Sequence, residues 1–171
     1  AEMLTRRCGR PIAITGVTAR TKGKDRGVDL DGIRWFNTAT EMAKADGVDV
    51  FVELIGGDEG DARESVEAAL AAGKRVVTAN KALLAKHGVA LAGQAEEQGL
   101  LLNFEAAVAG GIPIIKVMRE SLTANGLSRV SGILNGTCNY ILTRMEREGM
   151  SFDDCLADAQ RLGYAEADPT F

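Results

Sequence analysis

Short apolar segments alternate with helix-like stretches through the first two thirds of the chain. β-branched and aliphatic residues are concentrated in segments that end in polar residues or glycine, and this pattern predicts buried strands at 12–19, 48–55, 75–78 and 100–104. Helical stretches separate the later strands. A strand, a helix and a second strand in succession form a parallel crossover unit, so the pattern is typical of a doubly wound, Rossmann-like α/β sheet.

Capping residues and glycines predict where the helices begin and end. Ser, Thr or Asp followed three residues later by an acid predicts helix starts at Thr38, Asp61 and Ser151. Gly73 ends the second of these helices. A further helical stretch over 81–98 is rich in alanine and leucine, and we expect a break in it near Gly88.

The pattern changes after the glycine pair at 110–111. Pro113 fits the first turn of a helix that runs to about residue 121, and alternating faces predict a strand over 127–134. Helical periodicity follows over 136–148. It returns after Ser151, where apolar residues recur at helical spacing: Phe152, Cys155, Leu156 and Ala159.

These elements divide the chain into two predicted domains. Residues 1–104 form a partial, incomplete doubly wound nucleotide-binding domain, and residues 105–171 form the start of an α+β substrate domain. No glycine-rich phosphate turn precedes the strand at 12–19, and no strand or helix follows 168–171. We therefore expect an internal fragment of a larger protein.

Composition and charge exclude several classes of partner. The 171 residues are 46% hydrophobic and 26% charged, with a net charge of −4, so nucleic acid and anionic membrane surfaces are not expected partners. Bases cluster within residues 1–27 and acids within 151–171, as solvated surfaces often do. No apolar run approaches a membrane span, and a cytoplasmic location is expected.

Cysteine and histidine are too few and too scattered for most metal or nucleophilic chemistry. Cys8, Cys138 and Cys155 match neither a zinc site nor a redox pair, so reduced thiols are expected. His87 is the only histidine, and before Gly88 it is predicted to end a helix. A Cys/His zinc site and a histidine-based triad are therefore nearly excluded.

Four sequence segments carry a resemblance to a known family. VVTANK, FEAAVAGGIPII, GILNGTCNYIL and LGYAEADP stand at 76–81, 104–115, 132–142 and 162–169. In this order and spacing the chain resembles homoserine dehydrogenase. The resemblance implies NAD(P)-dependent, reversible reduction of L-aspartate 4-semialdehyde to L-homoserine, a step of threonine, methionine and isoleucine biosynthesis. It also implies a parent protein that forms a homo-oligomer and acts on a small-molecule substrate.

The resemblance implies roles for residues on both sides of the reaction. Lys81 matches a catalytic family lysine near the nicotinamide, where a cation stabilises developing negative charge on the reacting oxygen. Glu166, Gly136 and Thr137 match substrate-binding positions, although a loop charge and a simple helix start are the structural alternatives. Gly163 matches a position where backbone approaches the cofactor.

Cofactor selection is predicted to depend on the first strand. Arg20 follows that strand where an NAD-selective domain more often carries an acid, so arginine favours NADP, with NAD possible. A solvated basic loop is an equally open interpretation of Arg20. By the same fold logic Ile55 and Gly56 run beneath the cofactor.

A cation site is implied by the family alone. Its loop matches Glu105, Val108, Gly110 and Ile112, whose oxygens, mainly backbone carbonyls, hold a monovalent cation, usually sodium. A glycine-rich turn would not indicate such a site without the resemblance.

Departures from the family pattern leave two other functions open. The family's acid/base lysine and its aspartate partner lie beyond residue 171, so the isolated chain is expected to be inactive. One alternative is a non-catalytic α/β fragment that only associates with other chains. The other is a related semialdehyde-acting oxidoreductase such as aspartate semialdehyde dehydrogenase, which needs a cysteine nucleophile and a histidine base at a shared site.

Overall fold

The computed structural model describes residues 2–132 and 135–165. They fall into two compact units, the first ending at Thr123 and the second beginning at Ala124. Each unit is described by itself. The boundary between the two domains predicted from the sequence, at residues 104 and 105, stays a prediction.

The first unit contains helices and parallel strands in alternation. In chain order they are α1 (Glu2–Cys8), β1 (Gly16–Val17), β2 (Arg34–Trp35), α2 (Ala39–Lys44), β3 (Val50–Glu53), α3 (Asp61–Ala71), β4 (Arg75–Thr78), α4 (Lys81–Glu97), β5 (Leu102–Asn103), α5 (Glu105–Ala109) and α6 (Ile114–Lys116), which a π-helical turn (Val117–Ser121) extends. β1 pairs in parallel with β2, and β3, β4 and β5 form a second parallel sheet in that order. The predicted α/β class with parallel strands is confirmed.

One face of the three-stranded sheet forms the core of this unit. Phe51 is in register with Val76, and Val76 with Leu102; all three are at most 3% exposed. They pack in one cluster with buried residues of α3 and α4, including Leu70 and Leu83. Successive side chains along a strand point to opposite faces, so this packing also fixes which side chains at the strand ends face the helices.

Two of the predicted helix starts have the expected caps. Thr38 caps α2, since its hydroxyl accepts a hydrogen bond from the Glu41 backbone N–H at 3.0 Å. Ser151 caps α8 (Phe152–Arg161) in the same way through the Asp154 N–H at 3.2 Å. The capping box at Asp61 is wrong: Gly60 is the cap of α3, without a side-chain bond, and Asp61 is the first helical residue.

The strand predicted over 12–19 is much shorter and more exposed than expected. Only Gly16 and Val17 pair with another strand, and Ile12 and Ile14 are 36% and 60% exposed. Apolar residues favour burial only where another layer covers them. The Phe36 ring lies against Gly16, and residues 16–18 are half-buried, while the rest of this segment is exposed.

Helix α4 runs without a break through Gly88, contrary to the prediction. Leu83, Leu91 and Ala95 on both sides of the glycine are buried in the core, and this packing outweighs the intrinsic cost of about 1 kcal/mol for a helical glycine. His87 therefore lies inside α4 and not at a helix end. Its Nε2 atom is 3.1 Å from Glu59 Oε1.

The second unit is built on α7 (Gly136–Glu148) and α8 (Phe152–Arg161). Ile141, Cys155 and Ala159 form its buried cluster. The strand predicted over 127–134 is absent from the described part of that range, 127–132, where the alternating side chains are exposed and have no partner strand to pair with.

The three cysteines carry free thiols, as predicted, with Cys155 buried and the other two exposed. Among the described residues, none of the helices combines the length and apolar character that crossing a membrane requires.

Candidate functional site

A buried carboxylate joins the carboxyl ends of β3 and β4. Glu53, the last residue of β3, is 0% exposed, and its Oε2 accepts a hydrogen bond from the Thr78 hydroxyl at 2.5 Å. Thr78 in turn accepts from the backbone N–H of Asn80 at 3.0 Å. The neighbouring strand ends are therefore tied together by side chains in addition to the sheet.

The same carboxylate orders the turn that follows β3. Its Oε1 accepts hydrogen bonds from the backbone N–H groups of Ile55 and Gly56 at 2.6 and 3.1 Å. The Asn80 amide completes the linkage, since it donates to the carbonyl of Gly57 at 2.6 Å. We call Glu53, Thr78, Asn80 and the backbone of 55–57 the Glu53 cluster.

The turn at 55–57 suits close approach by a flat ligand. Gly56 and Gly57 have φ angles of +84° and +80°, which glycine adopts without strain, and a Cβ added to either would meet no described atom within 4 Å. Bare backbone thus borders open space at the carboxyl end of a parallel strand, where ligands of this fold bind. These residues fit the nicotinamide cofactor expected from the sequence.

Lys81 is the first residue of α4 and is exposed. Asn80 caps this helix, because its side-chain oxygen accepts a hydrogen bond from the Leu83 N–H at 3.1 Å. A cation at a helix N-terminus opposes the helix dipole, so the fold itself does not favour lysine there. Lys81 follows the carboxyl end of β4 by three residues, at the side of the sheet where ligands of this fold bind.

Lys81 also borders an apolar groove of about 510 Å³ between α4 and α5. Phe104 and Val108 line the opposite side of the groove. The structure therefore brings Lys81 into the same groove as Val108, one of the predicted cation-site residues.

The predicted cofactor selector Arg20 lies in an exposed basic loop after β1. Arg26 orders this loop by donating to the carbonyls of Thr21 and Lys24, both at 2.7 Å. The Arg26 guanidinium lies 5.6 Å from the ring centre of Trp35 in β2. Arg20 thus projects from a loop that is held in shape.

The predicted cation loop forms α5 and the turn after it. The carboxylate of Glu105 accepts hydrogen bonds from the backbone N–H groups of Ile115 and Lys116 at 2.8 and 2.9 Å, so it caps the following helix. Gly110 follows α5 with a φ of +61°, and Ile112 is 64% exposed. Backbone carbonyls are hard oxygen donors that suit alkali and alkaline-earth cations.

In the second unit, two predicted site segments meet. The Thr137 hydroxyl donates a hydrogen bond to the carbonyl of Tyr164, and this places the start of α7 beside the turn after α8. Gly136 is the first residue of α7, and Gly163 in that turn has a φ of +76°. Glu166 lies outside the described residues.

The rings of Tyr140 and Tyr164 reinforce this meeting, with centres 5.0 Å apart. Arg144 donates to the Tyr140 hydroxyl at 2.8 Å and to the carboxylate of Asp158 on α8. Contacts with Glu148, Tyr140 and Asp158 raise the pKa of Arg144 further above its ordinary value. The two helices of this unit are thus fixed by polar contacts around the turn.

Charged side chains connect the loop after β3 to the middle of α4. Lys86 Nζ lies 2.9 Å from both Asp58 Oδ2 and Glu59 Oε1. Hydrogen bonds from Lys86, Arg63 and His87 lower the pKa of Glu59 to about 2. This ion-pair group holds the far side of the loop that begins with Gly56 and Gly57.

Sequence reasoning missed Glu53 as a residue of the site. The available signal was a single acid in the otherwise apolar end of a predicted buried strand, because a buried carboxylate is retained only where hydrogen bonds satisfy it. Asn80 belongs to the VVTANK motif, and an asparagine directly before a predicted helix is a cap signal that the sequence itself carries.

Two family models cover nearly all of the chain. Residues 1–105 match "Homoserine dehydrogenase, NAD binding domain", and residues 113–171 match "Homoserine dehydrogenase". The Rossmann-like character expected for the first part agrees with the first of these models.

Individual relatives agree with the family models. A homoserine dehydrogenase from Pseudomonas aeruginosa is 49% identical over 173 residues, which cover 100% of this chain and 39% of that protein. The crystal structure of a homoserine dehydrogenase from Thiobacillus denitrificans matches with a TM-score of 0.84 and 49% identity, over 99% of this chain and 39% of that one. A hyperthermophilic archaeal homoserine dehydrogenase in complex with NADPH matches with a TM-score of 0.69 and 33% identity, over 81% and 42% of the two chains.

The chain thus spans about two fifths of the length of these relatives. The family models, the relatives and the solved structures lead to the same family assignment. The glycine turn after β3 and Lys81 after β4 agree with it. This chain belongs to the homoserine dehydrogenase family.

Proposed function

We propose that the full-length protein carrying this chain interconverts L-homoserine and L-aspartate 4-semialdehyde with NADP as its preferred cofactor. In the oxidative direction the alcohol carbon gives a hydride to the nicotinamide and the hydroxyl gives up its proton. The observation that carries the proposal is the Glu53 cluster, since it ties the open glycine turn to the start of α4, the helix that begins with Lys81.

The bound nicotinamide cofactor supplies the hydride acceptor or donor. Backbone of Ile55 and Gly56 would hold it, and the φ of Gly56 at +84° leaves that backbone accessible. Arg20 would select NADP, because a guanidinium pairs with the 2′-phosphate that NAD lacks. The ordered basic loop around Arg26 supports this role for Arg20.

Lys81 would stabilise negative charge on the reacting oxygen. Its ammonium group is a point charge at the N-terminus of α4, where backbone N–H groups already provide positive potential. Both contributions favour an alkoxide more than an alcohol, so they act on the transition state.

Substrate recognition would use the second unit. Gly136 and Thr137 open α7 with backbone N–H groups, and the Thr137 hydroxyl orders the turn that carries Gly163. Glu166, two residues after Tyr164, would pair with the ammonium group of the amino-acid substrate. Gly163 would leave room for the cofactor.

The loop of Glu105, Val108, Gly110 and Ile112 would hold a sodium ion through its backbone carbonyls. The Glu105 carboxylate caps the next helix, which leaves the neutral carbonyls as donors and favours a monovalent cation. Its role would be to stiffen the loop beside the groove that Lys81 borders.

The proposed reaction places the protein in threonine, methionine and isoleucine biosynthesis. Free thiols at Cys8, Cys138 and Cys155 support a reducing, cytoplasmic compartment. We also propose a homo-oligomer that binds neither nucleic acid nor membrane, in keeping with the net charge of −4.

A direct assay tests the proposal. Purified full-length protein is mixed with L-homoserine and either NADP⁺ or NAD⁺, and reduced cofactor is followed by absorbance while the aldehyde product is trapped. We expect turnover with both and higher kcat/KM for NADP⁺. Cofactor binding without turnover would favour the non-catalytic alternative. A parallel assay supplies L-aspartate 4-semialdehyde, NADP⁺ and phosphate; phosphate-dependent reduction of NADP⁺ with formation of an acyl phosphate there, and no turnover with homoserine, would favour aspartate semialdehyde dehydrogenase chemistry.

A further inference from the structure

Glu53 occupies a position that its strand would normally give to an apolar side chain. It lies on the same face of β3 as Phe51, in register with Thr78 of β4, and it is 0% exposed. Removing a carboxylate from water costs several kcal/mol unless its oxygens are well bonded. The residue therefore costs stability that an apolar side chain would not cost.

The carboxylate oxygens together bond both parts of the site, and Oε1 also accepts from the Asn80 side-chain amide at 3.5 Å. Oε1 accepts from the N–H groups of Ile55 and Gly56, which belong to the turn proposed to hold the cofactor. Oε2 accepts from the hydroxyl of Thr78, which also receives the N–H of Asn80, the cap residue of α4. One side chain thus spans the distance between the cofactor turn and the residue that precedes Lys81.

Every donor to this carboxylate is neutral, so the contacts do not form an ion pair. Their common effect is geometric. The Glu53 carboxylate holds the main-chain N–H groups of Ile55 and Gly56 directly, and it holds that of Asn80 through the Thr78 hydroxyl. Errors of about 1 Å between reacting groups cost roughly a hundredfold in rate. A rigid link of this kind is therefore valuable where two reactants must meet.

We propose that Glu53 is a positioning residue, which sets the separation between the turn at 55–57 and the N-terminus of α4 with Lys81. This inference rests on the proposed function, because it assigns the cofactor to that turn and the reacting oxygen to Lys81. It goes further by placing the control of their separation in a buried side chain that contacts neither reactant.

Two substitutions separate the geometry from the charge. Glu53→Asp keeps the charge but shortens the side chain by one methylene, so it cannot reach the turn and Thr78 together. Glu53→Gln keeps the length, and its carbonyl accepts from Ile55 and Gly56. The bond to Thr78 reverses its direction: the glutamine amide donates to the Thr78 oxygen, whose second acceptor site takes the Asn80 N–H, and the Thr78 hydroxyl loses its acceptor, so the link is kept at some cost in stability. A positioning role thus predicts a defect in the aspartate variant and rescue in the glutamine variant.

The test combines hydrogen exchange of the cofactor-free, full-length protein with cofactor binding and steady-state kinetics. For Glu53→Asp we expect exchange in the segment 54–60 at least about tenfold faster, NADPH binding at least about tenfold weaker, and a fall in kcat larger than the change in homoserine KM. Glu53→Gln should stay within about threefold of wild type in all of these.

Thr78→Val is the second variant and breaks the link from the other strand. It should reproduce the faster exchange at 54–60 and the lower kcat, so the test stands even where Glu53→Asp does not fold. Val66→Ala, a core change in α3 outside the site, is the control for general destabilisation and should leave exchange at 54–60 and the NADPH affinity at wild-type values.

Folded Glu53→Asp or Thr78→Val protein with wild-type exchange at 54–60 and unchanged NADPH affinity would overturn the inference. The proposed function fails separately. If wild-type protein does not oxidise homoserine but the exchange changes as expected, the link between the turn at 55–57 and the N-terminus of α4 stands and the reaction assignment is wrong.

Discussion

The hydroxyl of Thr137 is hydrogen-bonded to the backbone carbonyl of Tyr164, so the first turn of α7 holds the turn that follows α8. Asn135 caps α7 independently, because its side chain accepts from the Cys138 N–H at 3.0 Å. The bond from Thr137 is therefore not needed to start the helix. Its effect is on the turn that contains Gly163.

Thr137→Val removes this bond and retains the shape of the side chain. A neutral hydrogen bond contributes about 0.5–1.5 kcal/mol, so we expect homoserine KM to rise about two- to tenfold with a smaller change in kcat. Steady-state kinetics of the full-length protein measure it. Thr143→Val on the same helix is the matched control, and equal effects of both variants would argue against a site role for Thr137.

Replacing Lys81 with alanine should lower turnover more than it weakens substrate binding. Its charge is needed most when the alkoxide forms, and losing such a contact costs about 2–4 kcal/mol, or about 30- to 1000-fold in kcat. Lys44→Ala is the control, since Lys44 is an exposed lysine in the last turn of α2, outside the proposed site. Near-normal kcat in Lys81→Ala would make that residue an ordinary surface lysine.

Arg20→Ala should raise the KM for NADPH and leave the KM for NADH nearly unchanged. A charge-assisted hydrogen bond contributes about 1.5–3 kcal/mol, so we expect the KM for NADPH to rise about 10- to 150-fold while that for NADH changes little. Lys24→Ala tests whether any base of this loop has the same effect. A proportional change for both cofactors would exclude Arg20 as the selector.

The ion pairs of Glu59 should stabilise the fold at neutral pH and lose this effect in acid. Lys86, Arg63 and His87 lower the pKa of Glu59 from 4.5 to about 2, so the stabilisation is complete above the unfolded pKa and disappears as the pH falls through the folded one. The carboxylate is half exposed, so salt should weaken the effect.

Melting curves of wild type and Glu59→Gln measure this dependence. The difference in Tm should be largest near about pH 7 and shrink steadily below about pH 4.5. A difference that is constant over this range would show that the ion pairs of Glu59 do not contribute to stability.

Local sequence signals predicted the elements whose ends are set locally. The limits of β4 and α7 agree with the predicted ones, and Asn135 caps α7 through the Cys138 N–H, three residues away. Thr38 caps α2 as expected, although the Glu41 carboxylate accepts from the Asn37 N–H and not from that of Thr38. Lys81 at the carboxyl edge of the sheet also followed from the alternation of strands and helices.

Features that depend on distant contacts were not predicted. Continuity of α4 through Gly88 depends on core packing of Leu83 and Leu91. The same packing places His87 inside the helix, where it contacts Glu59, 28 residues away. The buried role of Glu53 likewise requires Thr78 from another strand. The spacing of residues along the sequence does not show which distant residues come into contact.

The most direct measurement of the central claim follows the hydride itself. L-Homoserine carrying deuterium on the carbon that bears the hydroxyl is incubated with the full-length protein and NADP⁺, and the reduced cofactor is examined by mass spectrometry and NMR. The account predicts one deuterium at the reduced position of the nicotinamide ring for each molecule of aldehyde formed. Reduced cofactor without deuterium, or no reduction of NADP⁺ by a folded protein, would contradict it.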